Sequence, residues 1–198
     1  EFGLMQHPIR RGDVEQPAEH MLERIRLVRK EAADLARIGF VASDVLPGDI
    51  AIVSSFGADS AVLLHMVAQV DPDMPVYFLE TGKHFTETLD YVETLKRTLG
   101  LRNVHAIHPN PDDVKRFDPN GDLWETDPDS CCHIRKTEPL EPITEQYGGW
   151  VTGRKRYQTR ERGVLPHFEL TSDNRIKVNP LAYFSDADVV EYRQKHNL

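Results

Sequence analysis

Cysteine is nearly absent: the 198 residues hold two, Cys131 and Cys132, side by side. A secreted scaffold stapled by disulfides needs spaced cysteines that close loops, and a vicinal pair closes no useful one. Adjacent reduced thiols suit a reducing cytoplasm, where metal binding and redox chemistry are their special uses. No apolar run nears the roughly 20 residues of a membrane span, and no signal peptide is expected at the N-terminus. Positive charge is short as well: 24 Lys+Arg face 32 Asp+Glu, a formal net charge of −8. That excludes gripping nucleic acid by bulk charge and leaves only local basic clusters. With 13 Pro, 12 Gly and no low-complexity tract, disordered tails and fibres are excluded too. What remains is an expected soluble, mildly acidic protein, long enough for one domain with a real core.

Residues 1–16 mix Pro, Gly, His and charge without a period and read as a flexible lead-in. Residues 17–46 read as a helical segment. Pro17 suits a first turn, Leu22, Ile25, Val28, Ala32, Leu35 and Ile38 recur at helical spacing, and Gly39 supplies a stop. From 47 to 198 the rhythm is α/β. Apolar runs at Ile50–Val53, Pro75–Leu79 and Val104–Ile107 alternate with helices carrying Val62, Leu63, Met66 and Val67 and spanning Thr86–Leu99. That alternation predicts βαβ units and a parallel sheet. His108–Ser130, rich in Pro, Asp and Asn, reads mostly as loop, with a helix following from Lys136 to Gln146. Trp150–Thr152 reads as a fourth strand, Phe168–Leu170 and Ile176–Val178 as a short pair, and Asp186–His196 as a last helix.

Four segments carry chemistry. Ser54-Ser55-Phe56-Gly57-Ala58-Asp59-Ser60 joins a strand to a helix start, where backbone N–H groups and the dipole favour an anion; the plain alternative is an ordinary βα turn. It is no Walker loop, since no Lys-Ser/Thr pair follows the glycine. Glu80-Thr81-Gly82 to Thr88 ends the next strand, either as a ligand edge or as a tight turn with Thr86 capping a helix. Arg154, Lys155, Arg156, Gln158, Arg160 and Arg162 form a basic cluster suited to phosphate or sulfate oxygens, or a solvated loop. Cys131-Cys132-His133-Ile134-Arg135-Lys136 sets two thiols beside cations, as soft-metal ligands or as partly buried reduced thiols.

Together these segments resemble the sulfonucleotide reductases, specifically the assimilatory adenosine 5′-phosphosulfate reductases. The matching blocks are Ser54–Ser60, Thr81-Gly82 with Phe85, Glu87 and Thr88, Cys131-Cys132 with Arg135-Lys136 and Glu138-Pro139-Leu140, and Gly153-Arg154 through Gln158 to Arg162. Val178-Asn179-Pro180-Leu181 is a weaker fifth block. The resemblance implies an adenine nucleotide α-hydrolase-like α/β fold, a twisted, mostly parallel sheet flanked by helices in one domain. It implies reduction of adenosine 5′-phosphosulfate to sulfite and AMP with electrons from thioredoxin, in sulfate assimilation and cysteine biosynthesis. A tail cysteine attacks sulfur in that family. The implied substrate contacts are Ser54, Ser55, Phe56, Gly57, Ser60, Leu79, Thr81, Gly153, Arg154, Arg156, Gln158 and Arg162. The implied cofactor is a 4Fe–4S cluster with Cys131 and Cys132 as two of its four ligands and Lys136 as its cationic neighbour.

Three departures accompany the likeness. The family's second pair of ligands, a C-x-x-C, and its catalytic tail cysteine are both expected beyond Leu198, so the chain as written lacks the nucleophile. Asp59 is the third, since it resembles the acid of ATP-pyrophosphatase relatives. Three alternatives therefore stand beside the reductase: a reductase for the 3′-phosphorylated nucleotide, an ATP-pyrophosphatase-type enzyme such as a sulfate adenylyltransferase subunit or a thiolation enzyme, and a chain that only binds nucleotide or a partner. Neither nucleic acid nor membrane is an expected partner, and a homo-oligomer is compatible with the sequence.

Overall fold

The computed structural model describes Arg26 and residues 29–198. The lead-in 1–16 and residues 17–25, 27 and 28 of the 17–46 segment, with its Pro17, Leu22, Ile25 and Val28, lie outside the described residues. The chain divides into two compact units, Glu1–Ala33 and Asp34–Leu198. In the first, residues 29–33 are helical. In the second, residues 34–40 are helical and continue into a wider π-helical turn, Val41–Val45. Gly39 is thus not a stop. The Leu46 N–H reaches back to the Val41 oxygen at 2.8 Å, and the chain turns away only at Gly48, whose φ is +73°. Among the described residues no helix is long and apolar enough to cross a membrane.

The core is one six-stranded sheet: β1 Ile50–Ser54, β2 Val76–Leu79, β3 Val104–Ile107, β4 Gly149–Val151, β5 Phe168–Leu170 and β6 Ile176–Val178. Its order is β3-β2-β1-β4-β6-β5, parallel throughout except for the β5–β6 pair. Helices α1 (Ser60–Val70) and α2 (Thr86–Leu99) make the first two crossovers. Ala61, Val62, Leu63, Leu64, Met66 and Val67 of α1 are all buried, which explains its nearly continuous apolar stretch. β1 is buried on both faces, as a central parallel strand should be. At β4 the neighbouring backbone comes so close that a Cβ on Gly149 would lie 2.5 Å from the Ile176 oxygen. Only glycine fits there.

The segment His108–Ser130, read above mostly as loop, is instead largely helical: α3 Pro111–Phe117, α4 Leu123–Thr126 and α5 Pro128–Cys132. The loop-forming residues act here as helix starts. Asn110 Oδ1 accepts the Asp112 N–H at 2.9 Å and Asp127 Oδ1 accepts the Ser130 N–H at 3.1 Å, each just ahead of a proline at the first helical position. A π-helical turn, His133–Thr137, then leads into α6, Glu138–Thr144. The chain's last helix, α7, spans Asp186–His196 and is opened by Ser185, whose Oγ accepts the Asp188 N–H.

Candidate functional site

From β1 the chain crosses over to β2, while β4 lies against the other flank of β1. Strand order therefore reverses between β1 and β4, and there a crevice opens beyond their carboxyl ends. The cleft has a volume of about 630 Å³. One wall is the turn from β1 into α1. Ser54 Oγ accepts the Phe56 N–H at 3.1 Å, and Ser60 N–H closes on the Gly57 oxygen at 2.8 Å. The left-handed residue of this turn is Phe56 (φ +50°), not Gly57, where a Cβ would make only ordinary contact. Left-handed backbone costs a side-chain-bearing residue about 1–2 kcal/mol. Full burial of the ring, edge-on to Phe78 at 5.4 Å, offsets that by about 1.5–3 kcal/mol. No side chain caps α1, and Ser55 and Ser60 at its start line the cleft, their hydroxyls 3.4 Å apart.

The other wall follows β4. Arg154 is clamped to Glu169, and its guanidinium also donates to Asn179 Oδ1 (3.1 Å) and Thr152 Oγ1 (3.2 Å). Lys155 is 1 % exposed, with Nζ 3.0 Å from Asp59 Oδ2. Gln158 Oε1 accepts from both the Lys155 N–H (3.1 Å) and Arg162 Nη1 (2.6 Å). Lys177, opposite Trp150 in the β4–β6 register, completes a lining of four cations against one carboxylate, Asp59. Burial, with the charges of Asp59 and Asp186 adding to it, pushes the nearby Tyr157 phenol up to about 12, so it stays a neutral donor.

A second cavity of about 590 Å³ lies beyond β2 and is lined by Thr81, Lys83, Trp124, Cys131, Cys132, Arg135 and Lys136, among others. Cys131 is buried and Cys132 exposed, both as free thiols. Arg135 is held beneath them: its Nη1 donates to the Thr81 oxygen (2.7 Å) and its Nη2 to Asp118 Oδ2 (2.6 Å). Its buried Nε has no hydrogen-bond partner. Burial works against ionising Asp118, but the hydrogen bonds from Arg135 and the Leu123 N–H, with the charges of Arg135 and Lys83, hold its carboxyl below the ordinary range.

Of the residues expected at the substrate, Ser54, Ser55, Gly57, Ser60, Gly153, Arg154, Gln158 and Arg162 line the first cleft, and Thr81 lines the second with the thiols. Phe56, Leu79 and Arg156 line neither. The Phe56 ring belongs to the core, and the Leu79 oxygen lies 2.9 Å from His84 Nε2. Arg156 stacks 3.7 Å over Tyr183 and donates to the Leu165 oxygen. Sequence reading missed Thr152, Trp150 and Lys177 at the first cleft, and at the second Lys83 and the Asp118 that anchors Arg135 from outside its lining. Trp150 on the fourth strand and Thr152 just past its end stand two residues apart, a period-2 signal that was available. Lys177 needed the strand pairing, which no local pattern carries.

This geometry, a mostly parallel sheet with an anion-suited turn at its switch point, defines an α/β protein of the adenine nucleotide α-hydrolase-like class. Residues 49–198 match the phosphoadenosine phosphosulfate reductase domain, and the chain belongs to that family. It is 46 % identical over 179 residues to an adenosine 5′-phosphosulfate reductase of Chelativorans sp., covering 85 % of this chain and 73 % of that one. A second adenosine 5′-phosphosulfate reductase, from Mesorhizobium japonicum, is 46 % identical over 157 residues, covering 79 % of this chain and 61 % of that one. The crystal structure of a phosphoadenylyl-sulfate reductase from Candida auris, in a phosphate complex, superposes with a TM-score of 0.63 at 22 % identity, covering 83 % and 86 % of the two chains.

The cysteine site can be tested against the cluster that the resemblance implies. Two adjacent thiols, a cavity beside them and an unpartnered buried Nε–H suit an anionic iron–sulfur centre as half of its ligand shell. Among the described residues, no group of three or more His, Cys, Asp or Glu side chains is placed to hold a metal ion. The residues present fit two of four ligand positions.

Proposed function

We propose that this chain is the nucleotide-binding part of a thioredoxin-dependent reductase that converts adenosine 5′-phosphosulfate to sulfite and AMP in the reducing cytoplasm. The observation that carries the reading is the cleft at the β1/β4 switch point, where four cations and the Ser55 and Ser60 hydroxyls at the start of α1 surround space for an anionic nucleotide. Two electrons from a dithiol take the sulfate sulfur down to sulfite, and the bond to the AMP phosphate oxygen breaks. Charge then builds on that phosphate. Arg162 and Lys177 supply the cationic field that stabilises it, while Arg154, fixed by Glu169, Asn179 and Thr152, is oriented before the nucleotide arrives. Cys131 and Cys132 would hold a 4Fe–4S cluster as two of its thiolate ligands, with Lys136 and Arg135 as cationic neighbours; when bound it would supply a redox-capable, polarisable centre.

The decisive experiment uses the full-length protein with its iron content assayed. Calorimetry compares adenosine 5′-phosphosulfate with its 3′-phosphorylated form, and sulfite release is followed with reduced thioredoxin. Preference for the former, four irons per chain and sulfite formation are expected. Preference for the 3′-phosphorylated form without iron would make this a reductase of that nucleotide and leave the cysteine pair unexplained. Pyrophosphate release from ATP would move it to another class altogether.

A further inference from the structure

We propose that Lys155 is a positioning residue that sets the affinity of the cleft for a nucleotide's phosphate, acting through Asp59; the inference rests on the reading of the cleft as a nucleotide site. Four observations meet at this side chain. Its Nζ is buried, with 2 % of the side chain exposed, and an ammonium in such surroundings requires a matched charge. Asp59 supplies it at 3.0 Å, and Tyr157 Oη sits 3.5 Å from the same carboxylate oxygen. Asp59 immediately precedes Ser60, the first residue of α1, so the ion pair pins the helix start to the segment leaving β4. The Lys155 main-chain N–H is bound in turn by Gln158 Oε1, the atom that also holds Arg162. One residue therefore couples the two walls of the cleft across the switch point.

The electrostatics point the same way. Among the described residues lining the cleft Asp59 is the only carboxylate, and a phosphate entering beside Ser60 would meet its repulsion. Paired with Lys155, the acid is neutralised and held by a charge that never leaves the protein. Lys155 itself need not touch the ligand: its effect runs through the place and charge of Asp59 and the anchoring of Arg162.

The test measures binding of AMP and of adenosine to the full-length protein, so that the phosphate's share of the affinity is read separately. For Lys155→Met the expected loss is at least about tenfold for AMP, with adenosine changed by less than about threefold. Asp59→Asn, which removes the repelling charge and leaves the Lys155 ammonium in place, is expected to hold AMP affinity within about threefold of the wild type or raise it. The double variant Lys155→Met/Asp59→Asn leaves neither charge without its partner and keeps the idea testable where Lys155→Met alone fails to fold. It is expected to bind AMP within about threefold of the wild type, the signature of one coupled pair. Equal losses for AMP and adenosine or no loss at all in Lys155→Met, or a double variant that loses AMP affinity by about tenfold or more, would each overturn the proposal. A wild-type protein that binds AMP no better than adenosine would instead overturn the reading of the cleft on which it rests.

Discussion

The two cavities on the sheet's carboxyl edge are built on opposite plans. In the cleft at the β1/β4 switch point, charges from separate segments are paired, Arg154 with Glu169 and Lys155 with Asp59, and Arg162 is held by the neutral Gln158 amide four residues before it. In the thiol cavity a buried pair, Arg135 with Asp118, fixes the floor, while two thiols outside any disulfide remain beside an Arg135 Nε that has no hydrogen-bond partner among the described residues. The first site is assembled wherever this sheet folds, because β1, β4 and β6 bring its parts together. The second offers donors that this chain does not itself use. A fold can thus complete a binding site from local crossovers and still leave a neighbouring one waiting for further ligands.

The sharpest way to break that contrast is to remove a thiol. Cys131→Ser or Cys132→Ser in the full-length protein is expected to abolish bound iron and to lower sulfite formation by more than about 100-fold. AMP binding at the cleft should be unchanged. Iron and acid-labile sulfide assays beside AMP calorimetry check this, and loss of AMP affinity in step with iron would show that the two sites are not separate.

Next in size is the floor of the thiol cavity. Arg135→Met leaves Asp118 buried without its partner, and breaking such a pair costs about 3 kcal/mol or more. Urea denaturation is expected to show that loss, again without a change in AMP affinity. The pH dependence has a definite sign. Because the Asp118 carboxyl is held below its ordinary range when folded, its contribution is present above the unfolded value of 3.8 and fades as pH falls through the folded one. Arg135→Met should therefore flatten the acid limb of the stability curve.

The difference between these regions also explains what could be read from the chain. The strands Val104–Ile107 and Phe168–Leu170 and the helices Thr86–Leu99 and Asp186–His196 were legible from apolar spacing and turn residues. The cap was not: Thr86, read as capping its helix, is the first helical residue, and Phe85 stands at the N-cap with no side chain capping the start. That Ser54, Ser55, Gly57 and Ser60 share one cleft was legible because they are contiguous. The helices inside His108–Ser130 were not, since Asn110-Pro111 and Asp127-Pro128 look the same whether they make a turn or cap a helix. Nor could spacing show that Arg156 turns toward Tyr183 while Arg154 and Arg162 face the cleft. That choice depends on short irregular helices, Arg156–Gln158 and Glu161–Val164, that have no period of their own.

The cleft can be sharpened from within by that last distinction. Arg162→Ala is expected to weaken AMP binding by about tenfold, the scale of one charge-assisted hydrogen bond. Arg156→Ala should change it by less than about twofold, since its guanidinium is committed to Tyr183 and the Leu165 oxygen. Equal effects from both would mean that the cluster acts as diffuse charge and not as placed groups.

The smallest expected effect lies at the rim. Asp173 binds Arg175, whose guanidinium stands 5.2 Å over the ring of Trp150, a lining residue of the cleft. Hydrogen bonds from Arg175 and Thr171 lower the Asp173 carboxyl from 3.8 to about 2. A depressed folded value means stability that is present above about pH 4 and lost as pH falls toward 2. The pair is exposed, so solvent screens it and the gain is slight. Asp173→Asn should melt slightly below the wild type at pH 7, with the gap closing steadily between pH 4 and pH 2 by circular dichroism. A gap that holds its size across that range would mean that the turn at Ser172–Asn174, and not the charge, is what Asp173 supports.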